Sequence, residues 1–280
     1  MHSLRPMGWL VFMSCLTLFG AAGVVANVNQ LRLQGRVARE MRALLAVKPS
    51  KTPRPASGAL PAPVARYREL ALGDRAPVRT LKLRHAGTFC MSATSKPLPI
   101  RGTQLFTADP PGFVWSARVQ MFPGLWVDAR DMAADGAGSM RVLLDSTVPI
   151  ADAHGPELDQ GSALRLLAEM VWYPTALFDA RYVIWSAIDA RHASATLRFG
   201  DREVSGTFEF GADGLPASMN AERYMDKRGL RGWGGTYADW RRVSGMLVPF
   251  EATVSWQLES GPFSYAHWLV EAMDYDVGEP

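Results

Sequence analysis

The chain has 280 residues, 48% of them hydrophobic, and a formal net charge of +3 at pH 7. The net positive charge lies in residues 1–66, which hold nine Arg or Lys and one acid. Residues 67–280 hold 21 basic and 26 acidic side chains, a net charge of −5. Because nucleic-acid binding needs a basic surface, the composition excludes a typical nucleic-acid-binding domain, and we expect no nucleic-acid partner.

The first element is an uncharged run from Pro6 to Leu31. A bilayer core needs about 20 apolar residues in a helix, so residues 1–31 are predicted to form a short tail and one transmembrane helix, with the membrane as partner. A signal peptide cleaved before Asn27 is the alternative, although the run is longer than the usual apolar region of about 7 to 15 residues. The basic residues after the run favour a cytoplasmic position for the C-terminal part of the chain.

Residues 32–47 continue the helix with an amphipathic pattern. Val37, Met41, Leu44 and Leu45 recur at helical spacing between arginines, which predicts an extension lying on the membrane surface or continuing into solvent. Residues 48–66 contain five prolines between Pro49 and Pro63 and are predicted to be an extended linker. No second linker occurs after it, so residues 67–280 are predicted to form one globular domain.

The domain is dominated by alternation with a period of two, which is typical of half-buried strands. In one run Phe113, Trp115, Ala117, Val119 and Met121 share a face. The pattern returns near residues 193–199, 204–210 and 252–258, and turn signals such as Asp135-Gly136 separate the runs. About ten to twelve short strands are too many for a flat sheet. The predicted fold is mainly β, a strongly curved antiparallel sheet forming a half-barrel or open barrel.

One segment has helical periodicity instead. Leu164, Leu167, Ala168 and Val171 share a face between Ser162 and the Tyr173-Pro174 dipeptide, which predicts a helix packed as a lid on the curved sheet. On its polar side, Arg165 and Glu169 are four residues apart and predict a surface ion pair worth a few tenths of a kcal/mol.

No catalytic signature occurs in the chain. There is no G-x-S-x-G, H-E-x-x-H, phosphate-binding loop or dinucleotide fingerprint. Cys15 lies in the apolar run and Cys90 is alone in the domain, which excludes a disulfide within the domain and a cysteine-based zinc site. We therefore expect no cofactor and no metal.

The order of motifs resembles a family of uncharacterised bacterial proteins grouped as a domain of unknown function, usually with an N-terminal membrane segment. The resemblance rests on six stretches, namely LPAPVARY (60–67), PPGFVWSARV (110–119), Asp131 to Met140, LAEMVWYPTAL (167–177), Trp185 to Asp189, and Pro249 with Trp256 and Tyr265. Such domains look like the curved sheet and helical lid of periplasmic lipoprotein carriers, which hold acyl chains in an apolar concavity. The resemblance thus implies a hydrophobic ligand and a periplasmic location, against the charge rule.

The candidate ligand-binding residues are Trp115, Asp128, Glu169, Trp172, Asp189 and Arg223. Glu169 is predicted to face a cavity and to pair there with Arg223, because a carboxylate and a guanidinium form a strong bidentate contact. The alternatives are a surface pair of Glu169 with Arg165, an Arg223 that is only a strand-face residue, tryptophans that only fill the core, and an Asp189 that only ends a strand.

Three functions are open as hypotheses. The first is a membrane-tethered protein that holds a lipid or another hydrophobic ligand in the concavity of the sheet. The second is an enzyme acting on a lipid or envelope substrate, with Glu169, Asp189 or His192 as acid or base, which requires these side chains to share a pocket. The third is an anchored scaffold that binds another envelope protein along a sheet edge.

Overall fold

The computed structural model describes residues 5–50, 58–73, 76–226 and 229–278, with side chains described from residue 23 onward, Asp226 excepted. Three helices and thirteen strands occur in these residues. They are α1 (Arg5–Leu45), α2 (Ala62–Leu72), β1 (Thr80–Phe89), β2 (Leu98–Ala108), β3 (Pro111–Phe122), β4 (Leu125–Ala134), β5 (Ala137–Leu144), β6 (Val148–His154), α3 (Pro156–Glu169), β7 (Val183–Ala187), β8 (His192–Phe199), β9 (Arg202–Phe210), β10 (Pro216–Asp226), β11 (Gly229–Val243), β12 (Met246–Leu258) and β13 (Gly261–Tyr275).

All thirteen strands belong to one antiparallel sheet in the order β6-β5-β4-β3-β2-β1-β13-β12-β11-β10-β9-β8-β7. Two meanders, β1–β6 and β7–β13, are joined where the first strand pairs with the last. The predicted curved antiparallel sheet is therefore confirmed, with more strands than expected. The sheet stays open between β6 and β7, although the β4–β5 and β8–β9 turns approach each other at Gly136 and Gly200.

Helix α3 covers the concave face of the sheet. It contacts β3 to β6 of one meander and β8 to β10 of the other, and most of its side chains are buried. Gly138 on β5 makes this close approach possible, because a Cβ there would lie 2.4 Å from Ser162 Oγ of the helix. The helix is also longer than the sequence predicts, because it begins at Pro156 and not near Ser162. Its C-terminal end agrees with the prediction, since a 3-10 turn over Met170–Trp172 continues it up to Tyr173.

A second short helix, α2, packs on the domain, although the sequence predicts only one helix after the N-terminal one. It begins at Ala62, within the stretch predicted to be linker. Tyr67 is fully buried among Phe178, Phe210 and Trp240, with ring centroids 5.7 to 6.1 Å away. This aromatic contact holds α2 against the sheet.

The second half of α1 packs on the outer face of the sheet. Val37 and Leu44 are buried against Leu105 of β2 and Val114 of β3, and Glu40 forms a salt bridge with Arg130 (3.3 Å). The apolar stripe predicted for the membrane surface therefore covers the domain instead. Leu105 and Val114, the strand residues that α1 covers, face outward and alternate with inward-facing residues, as the period of two requires.

Among the described residues, no helix is long and apolar enough to cross a membrane. Residues 6–22 of the expected span lie outside the described side chains, and the membrane tether stays a prediction.

Candidate functional site

A cavity of about 440 Å³ lies between the inner face of the sheet and α3. Its wall is mostly aromatic and aliphatic. It is lined by Phe89, Cys90, Met91, Ile100, Trp115, Val119, Val127, Ala129, Asp131, Met140, Val142, Arg165, Ala168, Glu169, Trp172, Arg223, Met225, Trp233, Gly235, Tyr237, Ala252, Val254, Trp256, Phe263, Tyr265 and Trp268.

The cavity exists because small residues occupy inward positions where larger ones would fill the interior. Ala129 of β4, Gly235 of β11, Ala252 of β12 and Ala168 of α3 all face it. Alternation turns the large aromatic side chains of the same strands to the same side, so they form walls around the space. The inward aromatic faces therefore both build a core and line a void.

The mouth of the cavity lies at the end of the sheet that carries the β1–β2 and β10–β11 turns. Met91 and Met225, next to these turns, line the cavity and are exposed to solvent. Consecutive antiparallel strands place alternate turns at the same end of a meander. The β3–β4 and β5–β6 turns therefore lie at the mouth end as well.

A buried polar cluster in the cavity wall surrounds Arg165 of α3. Its guanidinium donates from Nε to Glu169 (2.8 Å), from Nη1 to Asp131 (2.7 Å) and from Nη2 to Gln104 (3.1 Å). The side chains of Arg165 and Glu169 are 14% and 13% exposed. The predicted ion pair thus exists, but it is buried and not on the surface.

Side chains of strands β2 and β3 complete the polar cluster around Arg165. Gln104 also donates to the second Glu169 oxygen (2.7 Å), and Arg165 lies over the rings of Phe113 and Trp115 (4.8 and 4.7 Å). Burial raises the pKa of the Glu169 carboxyl above its usual value, while Arg165 and Gln104 oppose that rise. The pKa of Arg165 is raised by the two carboxylates although burial opposes it.

Glu169 and Arg223 both line the cavity, but the predicted pair between them does not form. Glu169 is occupied by Arg165 and Gln104. The Arg223 guanidinium lies instead over Trp233, 4.7 Å from the ring centroid, and 5.6 Å from Trp256. Its Nε is buried and has no hydrogen-bond partner among the described residues.

Trp115 and Trp172 line the cavity, and each indole is held by a hydrogen bond. Trp115 Nε1 donates to His85 Nε2 (2.8 Å) and Trp172 Nε1 donates to the Pro249 carbonyl (3.1 Å). Burial lowers the pKa of His85 to about 4, with Arg165 contributing in the same direction. His85 is therefore neutral and accepts the proton of the Trp115 indole.

Asp128 lies outside the cavity. Its carboxylate accepts from Arg118 Nε (2.8 Å) and Trp126 Nε1 (2.9 Å) and from the hydroxyl of Ser146. It is buried next to a pocket on the outer face that is lined in part by Gln30 and Leu33 of α1. This side chain organises the outer face of the sheet and does not contact the candidate ligand site.

Asp189 lies in the exposed connection between β7 and β8. Its carboxylate accepts the backbone N–H groups of Arg191 and His192 and lies 2.9 Å from His192 Nδ1. Neither Asp189 nor His192 lines the cavity with Glu169. The shared pocket that the enzyme hypothesis requires is therefore not formed by these three residues.

Sequence reasoning missed Gln104, Asp131, His85 and Arg165 as site residues. A signal was present for the first two, because each is a polar residue at an inward position of an alternating strand. Gln104 pairs with Trp115 across β2 and β3, and Asp131 pairs with Trp115 across β3 and β4. Within the described ranges, no group of three or more His, Cys, Asp or Glu side chains is placed to hold a metal ion.

Solved structures with a similar fold are distant. A LolA superfamily protein from Nitrosomonas europaea matches with 11% identity and a TM-score of 0.41 over 79% of this chain and 96% of its own. A DUF1329 family protein from Desulfovibrio piger matches with 11% identity and a TM-score of 0.43 over 77% and 91%. A beta-barrel-like DUF1849 protein from Brucella abortus matches with 8% identity and a TM-score of 0.32 over 72% and 100%. At these TM-scores the similarity supports no conclusion about a shared ligand or activity.

The sequence itself matches no curated protein. A family model matches residues 51–268, which is more than three quarters of the chain and includes every residue that lines the cavity. The expected membership in a family of unknown function is confirmed. The chain belongs to DUF6544, a family of unknown function.

Proposed function

We propose that the protein binds a lipid or another hydrophobic ligand in the cavity between the sheet and α3. The observation that carries this proposal is the cavity itself, with a volume of about 440 Å³ and a mostly apolar wall. Small-molecule sites are typically concave, about 300 to 1,000 Å³ in volume and lined by apolar side chains with a few polar groups. The exposed Met91 and Met225 at the mouth give a ligand a route to the interior.

Replacing Ala129 with phenylalanine tests the proposal. Ala129 lines the cavity and is half-buried, so a phenyl ring there occupies ligand space with little strain on the surrounding core. We expect the variant to take up a fluorescent fatty acid at least about tenfold more weakly than the wild type, which corresponds to about 1.4 kcal/mol.

The matched control is Ala238→Phe on β11, because Ala238 is exposed and does not line the cavity. This variant should bind the probe as the wild type does. Native mass spectrometry of the purified chain supplies a second readout, with co-purifying lipid in the wild type and less in Ala129→Phe. Equal uptake by both variants, or no uptake by the wild type, would contradict binding in this cavity.

We further propose that the protein is tethered to a membrane and that the mouth of the cavity faces the bilayer. Helix α1 runs from Leu44, beside Gly112 at the β2–β3 turn, to Asn29, which donates to Thr147 in the β5–β6 turn (3.2 Å). Its first part, which contains most of the uncharged run, therefore continues beyond the mouth end of the sheet. The exposed apolar residues Met91, Phe122 and Val148 lie at this same end and support the orientation.

Arginines introduced into the uncharged run test the tether. An arginine near the middle of a transmembrane helix costs about 2.5 to 3.5 kcal/mol, so Leu16→Arg with Leu18→Arg should move the full chain from the carbonate-resistant membrane fraction to the supernatant. The control introduces two arginines at exposed positions of the domain, Ile184→Arg with Ile188→Arg, and should stay in the membrane fraction. A wild-type chain that fractionates with the supernatant, or whose mass shows cleavage before Asn27, would refute a retained anchor.

A further inference from the structure

Arg223 differs from the other arginine of the cavity in having no carboxylate partner. Arg165 donates to two carboxylates and one amide, whereas Arg223 makes neither a salt bridge nor a hydrogen bond with any described residue and contacts the faces of Trp233 and Trp256. The Arg223 side chain is half-buried and its Nε is shielded from solvent, and charges removed from water are normally paired because their desolvation is costly. An unpaired guanidinium in the wall of an apolar cavity therefore points to an anion that comes from outside the chain.

A second arginine lies beside Arg223. Arg231 of β11 is its register partner across the β10–β11 pair, so the two side chains leave the same face of the sheet about 5 Å apart at Cβ. Arg231 is exposed, and its only described hydrogen bond is to the carbonyl of Leu230. Like charges directly opposite each other destabilise a sheet, and an anion between the two guanidiniums would relieve this repulsion.

Helix α3 leaves room for Arg223 at Gly161. A Cβ at this position would lie 2.8 Å from Arg223 Nε, so any larger residue would displace the guanidinium. With the helix on one side and the rings of Trp233 and Trp256 on the other, the side chain has little freedom to move. A guanidinium held in this way binds an anion with less loss of conformational entropy than a mobile one.

The position of the two arginines relates the charge to the mouth of the cavity. Both lie on the strands joined by the β10–β11 turn, close to the exposed Met225. A molecule with its apolar part in the interior would place a polar head at this point. We propose that Arg223, assisted by Arg231, binds the anionic head of an amphiphile, a carboxylate or a phosphate, whose hydrocarbon chain fills the cavity; this rests on the proposed function.

The test compares ligands that share a chain and differ in the head. Hexadecanoate, hexadecyl phosphate and hexadecanol, each below its aggregation concentration at pH 8, displace the neutral probe N-phenyl-1-naphthylamine from the full-length protein. We expect the two anions to bind about tenfold more tightly than the alcohol, the size expected for one charge-assisted contact. In Arg223→Gln the ratio of anion to alcohol affinity should fall most of the way to one, with Arg231 accounting for any small preference that is left.

Two further variants complete the design. Arg223→Lys keeps the charge but not the fork of donors and should retain part of the preference. Arg198→Gln removes an exposed arginine that pairs with Glu203 outside the cavity and should retain all of it. The tighter of the two anions identifies the head, a free fatty acid or a phospholipid-like phosphate.

Failure of the anion site and failure of hydrophobic binding give different results in this experiment. A wild type that binds the alcohol as tightly as the anions, or an Arg223→Gln variant that keeps the preference, would overturn the anion site and leave hydrophobic binding intact. A wild type that binds neither the probe nor any of the three chains would instead overturn the proposed function. The alcohol and the probe thus report on the cavity, and the ratio of anion to alcohol reports on Arg223.

Discussion

Replacing Arg165 with methionine is expected to lower the free energy of unfolding by about 3 to 5 kcal/mol. Asp131 and Glu169 would then lose the cation that both contact, in a site where Glu169 is largely shielded from water. The penalty arises mainly from the carboxylates left without a partner, since methionine fills much of the vacated volume. Urea denaturation at pH 7 measures it.

Two comparison variants make this prediction specific. Arg165→Lys keeps the charge but cannot donate to Asp131, Glu169 and Gln104 in the same geometry. Its free energy of unfolding should therefore lie between those of the wild type and the methionine variant. Arg198→Met removes an exposed pair with Glu203 and should lose at most about 1 kcal/mol. A methionine variant at position 165 that is no less stable than Arg198→Met would show that the cluster does not stabilise the fold.

Acidification from pH 6.5 to pH 4 is expected to lower the stability of the protein through His85. The pKa of His85 is about 4 in the folded chain and about 6.5 in the unfolded chain, so between these values the unfolded state binds the additional proton. Stability is therefore complete above pH 6.5, falls as the pH decreases and levels off below pH 4. The full difference corresponds to about 3 kcal/mol.

The physical reason lies in the surroundings of the ring. His85 Nε2 accepts a hydrogen bond from the indole N–H of Trp115. Protonation of Nε2 would turn this acceptor into a donor and place two N–H groups against each other. The nearby Arg165 also disfavours a cation, and Trp268 packs against the ring with a centroid distance of 4.7 Å.

His85→Gln removes the titration and keeps an acceptor for the indole. The difference in unfolding free energy between wild type and variant should therefore change by about 3 kcal/mol between pH 7 and pH 4. Taking this difference removes the effect of carboxylate titration, because both proteins contain the same carboxylates. His192→Gln is the control, because His192 is half-exposed and lies beside Asp189. A pH-independent difference for His85→Gln would mean that His85 is not held neutral by the fold.

Much of the sheet is predictable from the sequence because strand alternation is a local signal. The inward set of β3 is predicted correctly from Phe113 to Val119, and these four residues are buried in the core. Helix α3 is located but shortened, because its first turns contain Pro156, Gly161 and polar residues whose burial depends on distant strands. The Asp135-Gly136 turn is also correct, with φ values of 51° and 80°, the left-handed values that such hairpins require.

The partners of the polar residues are not predictable in the same way. A spacing of four residues correctly places Arg165 near Glu169, but it does not reveal that Asp131 and Gln104, from two different strands, meet the same guanidinium. The sequence predicts a pair of Glu169 with Arg223, but Glu169 accepts instead from Gln104 of β2 and from Arg165 of its own helix. The amphipathic stripe of α1 is also recognisable, while the surface that it covers is not.

The sequence by itself determined the separation of charge between the N-terminal region and the domain, the alternating strands and the presence of a helix among them. These features depend on composition and on periods of two or 3.6 residues, which are local properties of the chain. Only the tertiary structure decided that the small inward residues Ala129, Gly235 and Ala252 surround a space, and that Arg223 faces it with no hydrogen-bond or ionic partner among the described residues. A void and an unpaired charge depend on what lies across the sheet, and that is set by the curvature of thirteen strands around α3.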